Sequence, residues 1–342
     1  MKNSKFYLKL FIIIIIFLLY LDNKNYKIIT KNKKFELNQI NKNTKNIISD
    51  NSTKFDNFKY YCCFCAMGKK ENLYSRELIS YYMSIGVEKF IFGDNNFPNT
   101  EKLADVLQDY INLGIVDIIE IFGSSIDQIE FYGKIYQKYK NKCKWLTFFD
   151  FDEYLVMYSK KGKKIALKEF LSNPIFNKCE AIQFNWLIYG DNGLVYYDNR
   201  SSIERFTKPD YDNNDNRLVK SMIRGNINKK VFIFDQSYHQ PTKEIKLCNS
   251  LGKKVKFPSF FSSPIYKYAY LMHFNTRTAE EFAKKIKRGH PGKNYKSIYN
   301  RVNKFFQQNE FTEEKLKVFE KEFNLIFEKF HHIKNLPKDK QT

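Results

Sequence analysis

The sequence is short of acidic residues, of histidine and of any motif that reads nucleic acid. Its 342 residues hold 37 Asp and Glu against 58 Lys and Arg, a net charge of +21. A chain this basic invites a nucleic-acid reading. No zinc-finger spacing, aromatic RNA-binding motif or basic recognition helix supports one, so that partner class is set aside. Five histidines and six cysteines never form the two ligand pairs of a structural zinc site. The Gly-rich basic loop that a nucleotidyltransferase carries after its first strand is reduced to Gly68-Lys69-Lys70. The one long apolar run lacks small residues at its end, where a signal peptide would be cut.

That run, Phe6 to Leu21, is broken only by Lys9. Tyr20-Leu21-Asp22-Asn23 closes it, which favours an uncleaved anchor over residues 1–22. As a helix, such a run spans about 24 Å, short for an average bilayer and closer to the thin membranes of the early secretory pathway. Lys9 can snorkel to the head groups. The alternative is a cleaved signal sequence. Residues 23–57 are polar, rich in Asn and Lys and without periodicity, and predict a flexible stem. Charge is uneven: residues 1–60 carry 12 Lys against 4 acids, and residues 276–342 carry 16 Lys or Arg against 9 acids. Basic ends around a nearly balanced middle suit a surface near anionic lipid or an anionic substrate.

From Tyr60 onwards strands and helices alternate. Tyr60–Met67, Val87–Phe92, Ile115–Phe122 and Trp145–Phe149 read as strands. Leu73–Ile85, a helix capped at Asn99 or Thr100, and Ile126 to about Lys140 fall between them. The pattern predicts an α/β domain over 58–294, a mostly parallel sheet with helices on both faces. Past the fourth strand it breaks. Cys179–Tyr189, Glu204-Arg205-Phe206 and Val219–Ile223 are strand candidates, Ile165–Leu171 and Ala279–Lys287 helical ones, the latter capped by Thr278. Residues 295–342 read as a C-terminal helical extension with Phe319, Phe323, Ile326 and Phe330 on one stripe, a packing stripe rather than a ligand surface.

The chemistry gathers where the fourth strand ends. Trp145-Leu146-Thr147-Phe148-Phe149 runs into Asp150-Phe151-Asp152-Glu153-Tyr154, three carboxylates in four positions. Such charge beside buried residues is costly unless a cation answers it. Oxygen ligands suit Mg²⁺ or Mn²⁺, ions commonly shared with substrate phosphates. The competing reading is a solvated acidic turn. Asp94-Asn95 and Ser124-Ser125 also stand at carboxyl ends of strands, where ligands of such sheets bind, and this favours a site.

Among the cysteines, Cys62, Cys63 and Cys65 crowd into one apolar strand and read as buried free thiols. Cys143 and Cys179 could pair if the domain is lumenal.

From Cys65 to about Gly289 the motifs, in order, resemble the glycosyltransferases of family 92 and their bacterial relatives among lipopolysaccharide and capsule glycosyltransferases. Lys70-Glu71-Asn72 with Tyr74, Arg76-Glu77 and Gly86-Val87 looks like the opening Lys-Asn-Glu block, with its last pair inverted. Asp94-Asn95-Asn96, Gln128 with Tyr132, and Asp150-Phe151-Asp152-Glu153-Tyr154 follow. Asn185-Trp186 with Tyr189-Gly190-Asp191-Asn192-Gly193 resembles the Trp-x-x-Phe-Gly segment, and Glu204-Arg205-Phe206 and Val219-Lys220-Ser221 come next. The closing block is His273-Phe274-x-Thr276-Arg277-Thr278-x-Glu280-Glu281-Phe282 with Lys285 and Arg288-Gly289. It departs from the family pattern chiefly in Arg277, which stands where the family has Lys.

The resemblance implies a GT-A (Rossmann-like) fold and a metal-dependent, inverting glycosyl transfer. The donor would be a nucleotide sugar, with UDP as carrier, and the acceptor a glycan or glycolipid. Mn²⁺ or Mg²⁺ would sit on Asp150, Asp152 and His273, with His239 a weaker fourth candidate. Asp94, Asn95, Gln128 and Asp150 would face the donor, and Arg277 and Arg288 its diphosphate. Lys220, Arg224 and Lys285 are further candidates there. Asp191 or Glu153 would be the general base, although Asp-Asn-Gly also explains itself as a turn. Trp186 could stack on sugar or belong to the core. The anchor implies a single-pass membrane protein, with a Golgi or ER lumenal catalytic domain in a eukaryote. The rival class is a membrane-anchored carbohydrate- or lipid-binding protein that has lost catalysis.

Overall fold

The structure, a computed structural model, describes residues 58–121, 128–227, 241, 245–255, 263–289 and 294–331. The chain divides between Asp56 and Asn57. The expected anchor and stem therefore lie outside the described residues, as do Ser124, Ser125 and His239. No helix among the described residues is long and apolar enough to cross a membrane.

The alternation predicted for the first part holds. The order is β1 (Tyr60–Gly68), α1 (Asn72–Ser84), β2 (Lys89–Asp94), α2 (Leu103–Asn112), β3 (Val116–Glu120), α3 (Gln128–Tyr139) and β4 (Cys143–Phe148). Strands pair in parallel in the order β3-β2-β1-β4. The register sets Gly68 beside Asp94 and Asp94 beside Glu120, so the carboxyl ends are level. Side-chain alternation builds two cores from one strand. Phe64 and Ala66 of β1 meet Leu78, Tyr82 and Leu107 of α1 and α2, while Cys63 and Cys65 meet Tyr132 and Ile135 of α3. Gly93 is obligatory here, because a Cβ would lie 2.6 Å from the Phe131 ring.

Past β4 the sheet is mixed. The elements are β5 (Glu153–Met157), α4 (Leu167–Leu171), β6 (Ala181–Tyr189), α5 (Ser202–Arg205), β7 (Pro209–Asp210), β8 (Val219–Arg224), β9 (Leu247–Asn249) and β10 (Ala269–His273). The sheet continues β4-β8-β6-β10-β5. The β4–β8, β8–β6 and β10–β5 pairs are antiparallel, and β6–β10 is parallel. The sheet is mostly parallel, as expected from sequence, but mixed: its first half is wholly parallel, and antiparallel pairs enter only after β4. The later strands join by pairing across long sequence separations, which local periodicity does not encode.

Three local expectations are corrected. Glu204-Arg205-Phe206 is no strand: Ser201 and Glu204 form a capping box that starts α5. The second helix begins after Lys102 rather than Asn99 or Thr100, because Asp105 accepts from the Lys102 amide at 2.7 Å. The cysteines pair as Cys63–Cys143 and Cys179–Cys248, and Cys62 and Cys65 stay as buried thiols. Cys63 and Cys143 stand on adjacent strands β1 and β4, with their Cα atoms 5.9 Å apart.

At the C-terminus come α6 (Ala279–Gly289), α7 (Tyr295–Gln308), α8 (Glu313–Phe323) and α9 (Glu328–His331). Phe282 and Ile286 of α6 share a core with Val302, Phe305 and Phe319. Of the predicted stripe, Phe319 and Phe330 are buried, whereas Ile326 is 71% exposed between α8 and α9.

Candidate active site

The acidic run makes a tight turn between β4 and β5. The Asp150 carbonyl accepts from the Glu153 amide at 3.2 Å, and the Glu153 carboxylate accepts from the Asp150 amide at 3.0 Å. Strand geometry therefore does not persist through Asp150 and Asp152. Antiparallel pairing sets His273 opposite Glu153, and the Asp152 carbonyl accepts from the Phe274 amide at 2.9 Å.

These pairings gather side chains from across the chain. Asp152 Oδ1 lies 3.5 Å from His273 Nε2, and Asp152 Oδ2 lies 2.6 Å from Lys285 Nζ. Asp150 Oδ2 meets Lys220 Nζ at 2.7 Å, and its Oδ1 accepts from Gln128 Nε2 at 3.0 Å. Gln128 is steadied by the Tyr132 hydroxyl at 2.9 Å. Lys220 Nζ is also 3.7 Å from Glu153 Oε1. The His273 ring packs on Trp186, with centroids 4.2 Å apart, so Trp186 forms the wall behind the imidazole.

Electrostatics separates the carboxylates. Burial works to raise the Asp152 pKa, but Lys285 and His273 outweigh it and hold the carboxyl well below its usual range. Glu153 is wholly enclosed, and burial pushes its carboxyl well above the usual range despite Lys220. Burial alone would lower the Lys220 pKa, yet Asp150 and Glu153 outweigh it and keep the ammonium charged.

Asp152, Glu153 and His273 present ligand atoms that all lie within 4.8 Å of one another. Ligands on one octahedral ion sit at most about 4.2 Å apart, so a small adjustment would fit Mg²⁺ or Mn²⁺. Glu153 Oε1 and His273 Nδ1 are buried without a hydrogen-bond partner. The donor set is two carboxylates and an imidazole, compatible with Mn²⁺. Asp150, expected in the metal set, is instead held one step away by Lys220 and Gln128.

Other expected residues are placed differently. Arg277 is buried, in the left-handed region at φ 54°. It covers the Tyr74 ring at 3.3 Å, donates to the Phe151 carbonyl at 3.3 Å and lies 3.7 Å from Glu71. Arg288 closes on the same Glu71 carboxylate and on the Lys70 carbonyl. The two arginines thus clamp the β1–α1 loop against the acidic turn. Asp94 accepts from two backbone amides, from Asn96 at 2.9 Å and Leu103 at 2.8 Å, contacts that shape the chain between β2 and α2. Asn95, beside it, is half-buried with its amide on the Gly68 carbonyl at 2.9 Å. Arg224 donates to the Cys179 and Phe176 carbonyls.

Asp191 faces the C-terminal helices. Its Oδ2 meets the fully buried Lys315 ammonium at 2.6 Å, and its Oδ1 accepts from the Gly193 amide at 2.8 Å. Burial pushes the Asp191 carboxyl up, against the pull of Lys315. Asn309 accepts from the Asp191 amide at 2.6 Å and donates to Thr276 Oγ1 at 3.3 Å.

Sequence reasoning did not foresee that Lys220 and Lys285 each hold one aspartate. A signal existed for Lys220, a lysine inside the apolar strand Val219–Ile223. For Lys285 it was helical spacing, since Glu281, Lys285 and Arg288 share the face of α6 that looks inward.

Comparison with known proteins adds three findings. The family model for glycosyltransferase family 92 matches residues 58–309. A glycosyltransferase family 92 protein of Ricinus communis is 26% identical over 124 residues, 36% of this chain and 21% of that protein. The match therefore spans about a fifth of that relative's length. Among solved structures, S. aureus TarS aligns at 11% identity and TM-score 0.34 over 72% of this chain and 43% of its own. Its 1–349 portion aligns at 12% identity and TM-score 0.29 over 77% and 71%.

Proposed function

The chain belongs to glycosyltransferase family 92, and on that premise we propose that it moves a sugar from a nucleotide sugar, UDP the preferred carrier, to a glycan or glycolipid. The observation that carries the reading is the convergence of Asp152, Glu153 and His273. Carboxylates brought to an imidazole from a distant strand, beside a basic cavity, suit a divalent ion and the diphosphate it accompanies. Such an ion would act as a Lewis acid on the leaving diphosphate.

The chain's own residues then divide the work. Asp152 and His273 would hold the ion, with Glu153 beneath them. Gln128 and Lys220 aim Asp150 at the donor side. Arg277 and Arg288 fix the turn through Glu71 and the Phe151 carbonyl, which keeps the cluster in register. An inverting course needs a carboxylate to take the acceptor proton. Asp191 is engaged on both oxygens and Glu153 is enclosed, so their contacts favour neither for that role. Attachment to a membrane through residues 1–22, with a lumenal catalytic domain, completes the proposal. The two disulfides support an oxidising compartment.

One observation favours the non-catalytic rival: a lysine already neutralises each aspartate. Donor hydrolysis decides between them. EDTA should abolish turnover of a UDP-sugar panel, Mn²⁺ or Mg²⁺ should restore it, and Asp152→Asn should mimic EDTA with an unchanged fold. Full activity in EDTA would sink the metal reading.

A further inference from the structure

The two lysines at the acidic turn are not equivalent. Lys220 projects from β8, its side chain wholly buried, with Asp150 at 2.7 Å and Glu153 at 3.7 Å. Lys285 projects from α6, its side chain 28% exposed, and lines a cavity of about 400 Å³ together with Lys70, Tyr74, Arg277 and Arg288. Its ammonium touches Asp152 Oδ2 at 2.6 Å and the Asn275 carbonyl at 2.9 Å. It occupies the carboxylate that a cation would need, yet it borders a basic cavity with room to turn into.

A divalent ion on Asp152 and an ammonium on the same carboxylate repel one another. The lysine stem has four rotatable carbons and a compact, strongly hydrated head, so it can leave without disturbing α6. The cavity is net positive: its lysines and arginines outnumber Glu101, Glu281 and Glu322, and Glu281 is already held by Arg205 and Glu322 by Lys287, so a displaced ammonium gains little there unless an anion comes with the metal. We propose that Lys285 is an exchangeable counter-ion: it closes Asp152 while the site is empty and passes to the donor diphosphate when the metal arrives. The inference rests on the metal-dependent transferase reading above and deepens it. Its consequence is thermodynamic. Metal alone must move Lys285 off Asp152 into a cavity of net positive charge, whereas metal with a nucleoside diphosphate gives Lys285 a new partner. The two ligands therefore bind with positive coupling, carried by one side chain.

Calorimetry tests this with MnCl₂ alone, and with UDP in the absence and presence of Mn²⁺. The proteins are wild type, Lys285→Met and Lys284→Met. Methionine keeps most of the stem and removes the charge. Lys284 lines the same cavity but pairs with Glu280 at 2.6 Å, so its variant controls for lost positive charge. Lys285→Met should bind Mn²⁺ alone more tightly than wild type and UDP in Mn²⁺ more weakly. The coupling factor should fall towards 1 from a wild-type value in the usual range of about 5–150. Lys284→Met should keep the wild-type coupling. The idea is overturned if Lys285→Met leaves the coupling intact, or if it weakens Mn²⁺ alone, which would make Lys285 a fixed support of the metal site. Thermal unfolding of each variant shows that folded protein is being compared. If wild type binds both Mn²⁺ and UDP, only the exchange falls with those outcomes. If wild type binds neither, the metal reading falls with it.

Discussion

Asp191 offers the sharpest separation of structure from chemistry. The family pattern made it a candidate general base, and the contacts make it half of a buried ion pair. Its carboxylate is 2.6 Å from Lys315, whose side chain has no exposed surface. Removing one charge of such a pair strands the other, which costs about 3–5 kcal/mol. Asp191→Asn should therefore lower the melting temperature by roughly 6–10 °C, at about 2 °C per kcal/mol for a domain of this size. Lys315→Met should do the same, since it strands the carboxylate. The double variant removes both charges and should recover most of the loss, because a buried pair is worth little against apolar replacement. The cycle is read by thermal and denaturant unfolding, and in parallel by transfer rate per folded molecule below both midpoints. The rate should barely change in Asp191→Asn. The reasoning is refuted if Asp191→Asn keeps its melting temperature and loses about 10²–10⁴-fold in rate, the worth of general-base catalysis. Additive single effects would equally deny the pair.

Three further outcomes are expected. Glu281 is buried, and although burial works to raise its pKa, Arg205 at 2.6 Å and Thr278 hold it below the ordinary 4.5. Its stabilising effect is present above that value and lost as pH falls through the depressed one, so Glu281→Gln should weaken the fold at pH 7 and flatten the acid limb of a stability–pH curve. Gly225→Ala should destabilise by about 1–3 kcal/mol or more, because the new Cβ would lie 2.0 Å from the Cys143 carbonyl and 2.5 Å from that of Lys140; an unchanged urea midpoint would deny that contact. Reduction should lower stability by about 2–5 kcal/mol per disulfide, read as a lower urea midpoint, since the bonds close loops of 80 and 69 residues; insensitivity to reductant would deny the pairing.

The sequence made the first half of the fold legible because each strand there is followed by its own helix and pairs with a neighbour in the same sense. It also located the acidic turn and His273, since both stand where apolar runs stop. What stayed hidden depends on pairing at long range. Nothing near Val219 announces that β8 will lie between β4 and β6 and aim Lys220 at Asp150. Arg277 and Arg288 read as phosphate ligands because charge alone does not reveal an existing partner, and Glu71 is that partner. Asp94 and Asp191 show why contacts matter: a turn-forming aspartate and a catalytic one look alike in sequence, and only the structure shows that Asp94 accepts from two backbone amides and Asp191 from one beside Lys315. The disulfide partner of Cys143 was missed because adjacency of β1 and β4 is a property of the sheet, not of spacing.

The place of β10 in the sheet has a consequence for the order of assembly. Strand β5, which follows the acidic turn, pairs with β10 alone in the main strand order, and β10 lies about 120 residues later in the chain. At a synthesis rate of about 5–20 residues per second, β5 waits roughly 6–24 s for its partner. During that interval the nascent chain carries an apolar edge strand, Glu153-Tyr154-Leu155-Val156-Met157, preceded by its acids. The carboxylates that later hold the site together would then serve as charged guards on an unfinished edge, keeping it from pairing with other chains until His273 emerges.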